Sequence, residues 1–165
     1  MKHPVSFPIP SAKQTVLAAA QIDASGGIHF PSNLEWGASG MTRERVIKSM
    51  APVAETWLSN TKIALVRNDN KVIEYGILHS ETVPLSSTVL EPGFKKHFED
   101  LFGPDMVVIF PNRNTVFIFP ELIGNYRDYT QLILEAWRSP APKGSLEVFK
   151  ISTTGLEAVG TFELP

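Results

Sequence analysis

The chain has 165 residues, 43% hydrophobic and 19% charged, with fifteen Lys and Arg against seventeen Asp and Glu, a formal charge of -2 and no cysteine. Its size and hydrophobicity predict one folded domain that removes roughly 70% of its unfolded surface from water, and they exclude a disordered chain. The balanced charge, with neither sign gathered into a block, weighs against nucleic acid as a partner, and the missing thiols exclude disulfides, thiol catalysis, iron–sulfur clusters and Cys-ligated zinc.

No run approaches the roughly 18–20 apolar residues of a membrane-spanning helix. The nearest apolar run, Val16 to Ala20, is too short for a signal-peptide core, so a cytoplasmic location without membrane contact is expected. Residues 1–10 hold Pro4, Pro8 and Pro10, whose fixed φ and missing amide protons predict an extended arm, packed on the core through Phe7 and Ile9. Residues 11–165 read as a single domain. From Ser11 to Ile22 the Ala-rich sequence fits a short helix closed by Ser25-Gly26-Gly27, while Thr15-Val16-Leu17 equally suits a strand; the secondary structure of residues 11–40 stays open. Asn33-Leu34-Glu35-Trp36-Gly37 reads as a loop.

Thr42 is the expected N-cap of a helix with Val46, Ile47, Met50, Val53, Ala54, Trp57 and Leu58 on one stripe, and Pro52 within it predicts a kink or two shorter helices. Lys62 to Arg67 and Val72 to Leu78 flank the turn formers Asn68-Asp69-Asn70 and predict a β-hairpin. Glu91-Pro92-Gly93 opens a helix carrying Phe94, Phe98, Leu101 and Phe102 on one face, closed by Gly103-Pro104. The almost wholly apolar runs Met106 to Phe110 and Thr115 to Phe119 predict central strands covered on both sides. Asn125 is the expected cap of a last helix with Tyr126, Tyr129, Leu132, Ile133, Ala136 and Trp137 on its apolar face. A third hairpin joins Leu146 to Ser152 and Leu156 to Leu164 through Thr153-Thr154-Gly155. Hairpins alternating with helices imply an α+β fold: an antiparallel sheet with helices packed on it, and neither a Rossmann nor a P-loop architecture.

His79-Ser80-Glu81 is the sharpest local feature, because residues i and i+2 of an extended segment point to one side and place an imidazole beside a carboxylate. A zinc deaminase also uses a His-x-Glu element, but its Cys-x-x-Cys partner is impossible here. A metal site would need a distant third ligand such as His97, His29 or Asp105, and the ordinary alternative is a solvated strand end. Serines occur in neither Gly-x-Ser-x-Gly nor Ser-x-x-Lys, and no glycine group forms a nucleotide loop. Arg113, between Asn112 and Asn114 at the tip of the central hairpin, offers a five-donor fork for a carboxylate or phosphate, or is a solvated turn residue. Trp36, in a Gly- and Ser-rich stretch without a helical stripe, is the tryptophan expected to be exposed.

The segment from His79 through Phe119, centred on LEPGFKKHFEDLFGPDMVVIFPNRNTVFIFP, resembles a bacterial family catalogued as domain of unknown function 1444. Leu101-Phe102-Gly103 stands where that family's helix ends in Leu-x-Gly, and Pro111-Asn112-Arg113-Asn114 where its strand closes in Pro-x-Arg-Asp. Asn114 replaces the family's aspartate, so no role needing that carboxylate carries over. Upstream, Asn33-Leu34-Glu35-Trp36-Gly37 and the helix from Thr42 resemble the family's Trp-Gly and helix, and Lys143 to Gly155 its final strand and turn. The resemblance implies a cytoplasmic bacterial α+β protein with no assigned reaction.

The absence of any clustered nucleophile, base or metal set makes a non-enzymatic protein-binding or scaffold domain the leading expectation. It needs no cofactor, and its partner is another protein or a second copy of the chain. Arg113, Asn112, Asn114 and Trp36 are the candidate binding residues. The alternative is a metal-dependent or acid/base hydrolase built on His79 and Glu81, with His97 nearby. A further alternative is an immunity-type protein that neutralises a toxin, a task suited to small acidic α+β domains.

Overall fold

The computed structural model describes residues 4–123 and 126–164. The proline-rich arm is extended, as its fixed φ angles require, and it is also paired: β1 (Ser6–Pro8) runs antiparallel to β2 (Val16–Ala18), with Phe7 opposite Leu17. Ile9 is buried in the core. Of the two readings of residues 11–22 the strand is the correct one, since β2 is followed by β3 (Gln21–Ile22), paired with β4 (Ile28–His29).

The loop expected at residues 33–37 is instead a helix, α1 (Asn33–Ser39). A reciprocal capping box makes it: Ser32 Oγ accepts from the Glu35 amide at 3.3 Å, and Glu35 Oε2 accepts from the Ser32 amide at 2.7 Å. Gly40 ends it at φ 65°, a left-handed conformation that glycine adopts without cost. No residue of α1 is buried.

The Thr42 hydroxyl accepts from the Arg45 amide and starts α2 (Arg43–Asn60), a single helix that runs through Pro52 rather than two shorter ones. Pro52 removes the amide that would reach the Lys48 carbonyl. Both residues lie on the exposed side, where water replaces the lost donor. Ala54 and Leu58 are buried, whereas Val53, expected on the same stripe, is exposed.

The three remaining hairpins form one antiparallel sheet in the order β10-β9-β7-β8-β6-β5. The strands are β5 (Ala64–Arg67), β6 (Ile73–His79), β7 (Met106–Asn112), β8 (Thr115–Pro120), β9 (Glu147–Ser152) and β10 (Gly155–Thr161). Between β6 and β7 lies α3 (Pro92–Phe102), and between β8 and β9 lies α4 (Thr130–Arg138). Successive side chains of a strand point to opposite faces, so β7 gives Val108 and Phe110 to the face covered by α2 and α3, and Val107 and Ile109 to the face covered by α4. Every residue of β7 and β8 is buried, polar Asn112 and Thr115 included, and the double-sided burial is what their almost wholly apolar sequence predicts. Phe94, Phe98 and Phe102 form the buried face of α3; Leu101, expected with them, is exposed.

The helix cap expected at Asn125 lies outside the described residues. α4 begins only at Thr130, after a 3-10 turn (Tyr126–Tyr129), so Tyr126 and Tyr129 reach the core from that turn. Tyr129 packs 4.5 Å from the ring of Tyr75, and its hydroxyl donates to Glu74 Oε2 at 2.9 Å. Burial, then the Glu74 carboxylate that accepts its hydrogen bond, push the Tyr129 phenol up to about 12.

One buried charge joins the N-terminal segment to the sheet. Glu147, 4% exposed, accepts from the Lys13 amide at 2.7 Å through Oε1, and from the Gln14 and Thr15 amides at 3.3 and 2.9 Å through Oε2. The Thr15 hydroxyl lies 2.5 Å from that of Ser145, which accepts from the Glu147 amide. Burial opposes the charge, but the hydrogen bonds from residues 13–15 together outweigh it and hold the carboxyl below its ordinary value. A depressed folded value stabilises the fold above the ordinary carboxyl pKa of 4.5, and this contribution is lost as pH falls through the folded value. Glu147→Gln sets an NH2 group against amide donors and is expected to cost about 3 kcal/mol in urea denaturation at neutral pH. The same variant should show a shallower loss of stability on acidification. Equal acid slopes in the two proteins would rule Glu147 out as the group responsible.

Candidate functional site

The β7–β8 turn is not the free hairpin tip that its Asn-Arg-Asn sequence predicts. Asn112 is 3% exposed, and its side chain turns inward. Its Nδ2 donates to the Ala136 carbonyl at 3.0 Å and to Ser139 Oγ at 3.3 Å, closing the C-terminal end of α4, while its Oδ1 accepts from the Asn114 amide at 3.0 Å. Asn114 Nδ2 donates to the Ser80 carbonyl at 2.8 Å. The Arg113 amide donates to the Pro142 carbonyl, and its carbonyl accepts from the Ser86 amide, at 2.9 and 3.0 Å. The turn is therefore clasped by the segment after β6 on one side and by the segment after α4 on the other. Gly144 completes the clasp: a Cβ there would sit 2.1 Å from the Phe110 carbonyl oxygen, so no other residue fits without a backbone shift.

What remains unengaged is the Arg113 guanidinium, which has no hydrogen bond or ion pair among the described residues. It lines an open cleft of about 390 Å³ with Ile22, Asp23, Ile28, Trp57 and Val83. The other wall is the β3–β4 hairpin. Asp23 Oδ1 accepts from the Ser25 hydroxyl, the Ser25 amide and the Gly27 amide at 2.5, 2.8 and 2.9 Å, so the carboxylate organises its own turn. Those donors, the Ser25 hydroxyl first, hold the Asp23 carboxyl below its ordinary value. Ile22 and Ile28 are cross-strand partners and both are exposed; further along the chain Phe30 and Leu34 are exposed too, the latter 83%.

Trp36 is half-buried, not exposed as expected, with its ring 5.6 Å from that of Phe7. It lines a second cleft of about 320 Å³ with His29, Glu35 and Met41, in which His29 Nε2 lies 3.8 Å from Glu35 Oε1. The two clefts share no lining residue, so the Arg113 turn and Trp36 are not parts of one site.

His79 and Glu81 do converge, with Nε2 and Oε1 2.8 Å apart. The other imidazole nitrogen lies 2.9 Å from Thr115 Oγ1, the hydroxyl of its register partner on β8. A hydroxyl, an imidazole and a carboxylate in sequence have the connectivity of an activated nucleophile. Their surroundings do not match that role: Thr115 is 7% exposed, which leaves a substrate no approach to its oxygen, and the Glu81 side chain is 88% exposed to water. His97 is on α3 with its ring against Phe98. Among the described residues no three of His, Cys, Asp and Glu come together as a metal site, and no helix is long and apolar enough to cross a membrane.

The residues overlooked in the sequence are Ile22, Asp23 and Ile28. Their signal is present, since Asp23-Ala24-Ser25-Gly26-Gly27 between two isoleucines is a hairpin turn flanked by strand formers. The chain matches no known protein family, no curated protein and no solved structure.

Asn112→Ala removes three hydrogen bonds at a buried position and should cost about 2 kcal/mol in urea denaturation. His79→Ala, which breaks a pair open to water, should cost no more than about 0.5 kcal/mol. The reverse order would make the strand end, not the turn, the structural joint.

Proposed function

We propose that the chain is a non-enzymatic protein-binding domain of the bacterial cytoplasm, and that it docks its partner through the exposed apolar residues of the β3–β4 hairpin and α1, the hairpin also walling the Arg113 cleft. The observation that carries this reading is the exposure of the apolar residues Ile22, Ile28, Phe30 and Leu34, of which Ile22 and Ile28 line the cleft of an arginine without a partner among the described residues. Singly exposed apolar residues are ordinary, but a cross-strand pair exposed on a cleft wall, followed within six positions of chain by exposed Phe30 and Leu34, is of the kind that marks protein contact. Arginine in the same cleft supplies the orientation and charge selection that apolar contact lacks. The missing cysteines fit a reducing compartment.

The test is affinity capture under gentle conditions from a lysate of the source cell, with the wild-type chain and an Ile28→Glu/Leu34→Glu double variant side by side. Both positions are exposed, so the variant should melt within about 2 °C of wild type. It should lose at least nine-tenths of a partner that the wild type retains. A partner retained equally by both chains, or none retained by the wild type, would count against this reading.

A further inference from the structure

We propose that the cleft between the Arg113 turn and the β3–β4 hairpin receives the C-terminus of a partner polypeptide, the terminal carboxylate on Arg113 and an apolar last side chain against Ile22, Ile28, Trp57 and Val83. This rests on the protein-binding reading and names the chemistry of that same face.

The first support is the state of Arg113. Its backbone is fixed on both sides by Pro142 and Ser86, and its neighbours Asn112 and Asn114 spend their side chains on internal bonds. Only the guanidinium is left, on the wall of a cleft and with no partner among the described residues. A guanidinium offers a flat fork of donors that matches two carboxylate oxygens, and it is worth most where a rigid backbone has already limited its positions.

The second support is the rest of the lining. Trp57, Val83 and the Ile22–Ile28 pair give the cleft an apolar wall, and about 390 Å³ falls near the small end of the roughly 300–1,000 Å³ of ligand sites. An apolar side chain and a carboxylate are therefore wanted close together. A chain terminus carries both on one Cα; an internal Asp or Glu puts its carboxylate where the apolar group should be.

Asp23 sets the charge. It and Arg113 are the charged residues of the lining, and the Asp23 carboxylate is held in the cleft by its own turn. A ligand with one negative charge gains Arg113 at modest repulsion from Asp23. One guanidinium neutralises a carboxylate, whereas a phosphate dianion would leave a second negative charge unmatched in a cleft that already holds Asp23, so a carboxylate is favoured over a phosphate.

The experiment is titration of the full isotopically labelled chain, followed by NMR, with three probes: acetyl-Gly-Ala-Leu as the free acid, the same tripeptide as its C-terminal amide, and amidated acetyl-Gly-Glu-Leu. The free acid should shift the Trp57 indole and Arg113 side-chain N–H resonances saturably, with a Kd at least tenfold lower than either amidated probe. Arg113→Ala should weaken the free acid at least tenfold, and Arg113→Lys less. Equal binding of acid and amide by the wild-type chain would overturn the proposal without recourse to any variant, as would preference for the internal Glu. If no probe shifts these resonances while Ile28→Glu/Leu34→Glu still loses the captured partner, the terminal-carboxylate assignment falls and the protein-binding reading stands. If capture is indifferent to that face, the reading itself falls.

Discussion

The buried carboxylate of Glu147 is the constraint on which the first third of the chain depends. An anion withdrawn from water must be neutralised or surrounded by donors, and here the donors are the amides of residues 13–15, supplied from the far end of the sequence. The bond from the Ala158 amide to the Pro10 carbonyl fastens the same segment to β10. Residues 4–19 thereby cover the β10 end of the sheet, with Ile9 and Leu17 packed in the core beside Phe149 and Ile151. The β3–β4 hairpin follows directly in the chain. The β3–β4 wall of the Arg113 cleft is thus hung from a segment bonded to β9 and β10, on one side of the sheet.

The same accounting of polar groups isolates Arg113. Around the β7–β8 turn, Asn112 closes α4, Asn114 binds Ser80, and Lys143 donates to the carbonyls of Trp137 and Ser139 while lying over the Trp137 ring. Elsewhere Lys150 is held between Asp105 and Glu121, and Lys95 pairs with Glu99. Arg113 differs from these cations in standing on a cleft wall with no partner among the described residues. Surface lysines facing open water carry no such information, because hydration satisfies them at no cost.

How much of this was legible depended on whether the cause was local. The central hairpin was readable because burial on two faces leaves no polar positions, and Met106 to Phe110 and Thr115 to Phe119 have none but Thr115. His79 and Glu81 were readable as a pair because strand geometry puts i and i+2 on one side. The bond from His79 to Thr115 was not, since it depends on the register between β6 and β8. α1 was missed because Gly37 and the lack of an apolar stripe mask it; only Ser32 and Glu35, at capping-box spacing, announce it. Pro52 misled in the other direction, because its cost depends on whether water reaches the orphaned carbonyl. Asn112 carries the sequence signature of a turn, yet the direction of its side chain is fixed by α4, which the chain reaches only later. Glu147 looks like an exposed position of an alternating strand until the N-terminal segment is placed over it.

The two walls of the Arg113 cleft differ in how firmly they are held. Arg113 belongs to a turn tied to β6, α4 and the central sheet, and Trp57 belongs to an 18-residue helix packed on the core. The opposing hairpin, and α1 that follows it in the chain, bury no strand or helix residue and are organised by local bonds, the Asp23 turn and the Ser32–Glu35 box. A seven-residue helix is well below the roughly 12–15 residues at which an isolated helix becomes stable, so α1 draws little from its own length. Elements of that kind open at a smaller free-energy cost than the core. On the proposed reading, a fixed cation facing an apolar wall that opens at low cost would let one charged group set the position of a ligand while the hairpin adjusts to its side chain. This division follows from where the hydrogen bonds lie: the exposed Ile22, Ile28 and Leu34 stand on locally organised elements, and Arg113 and Trp57 on parts tied to the core.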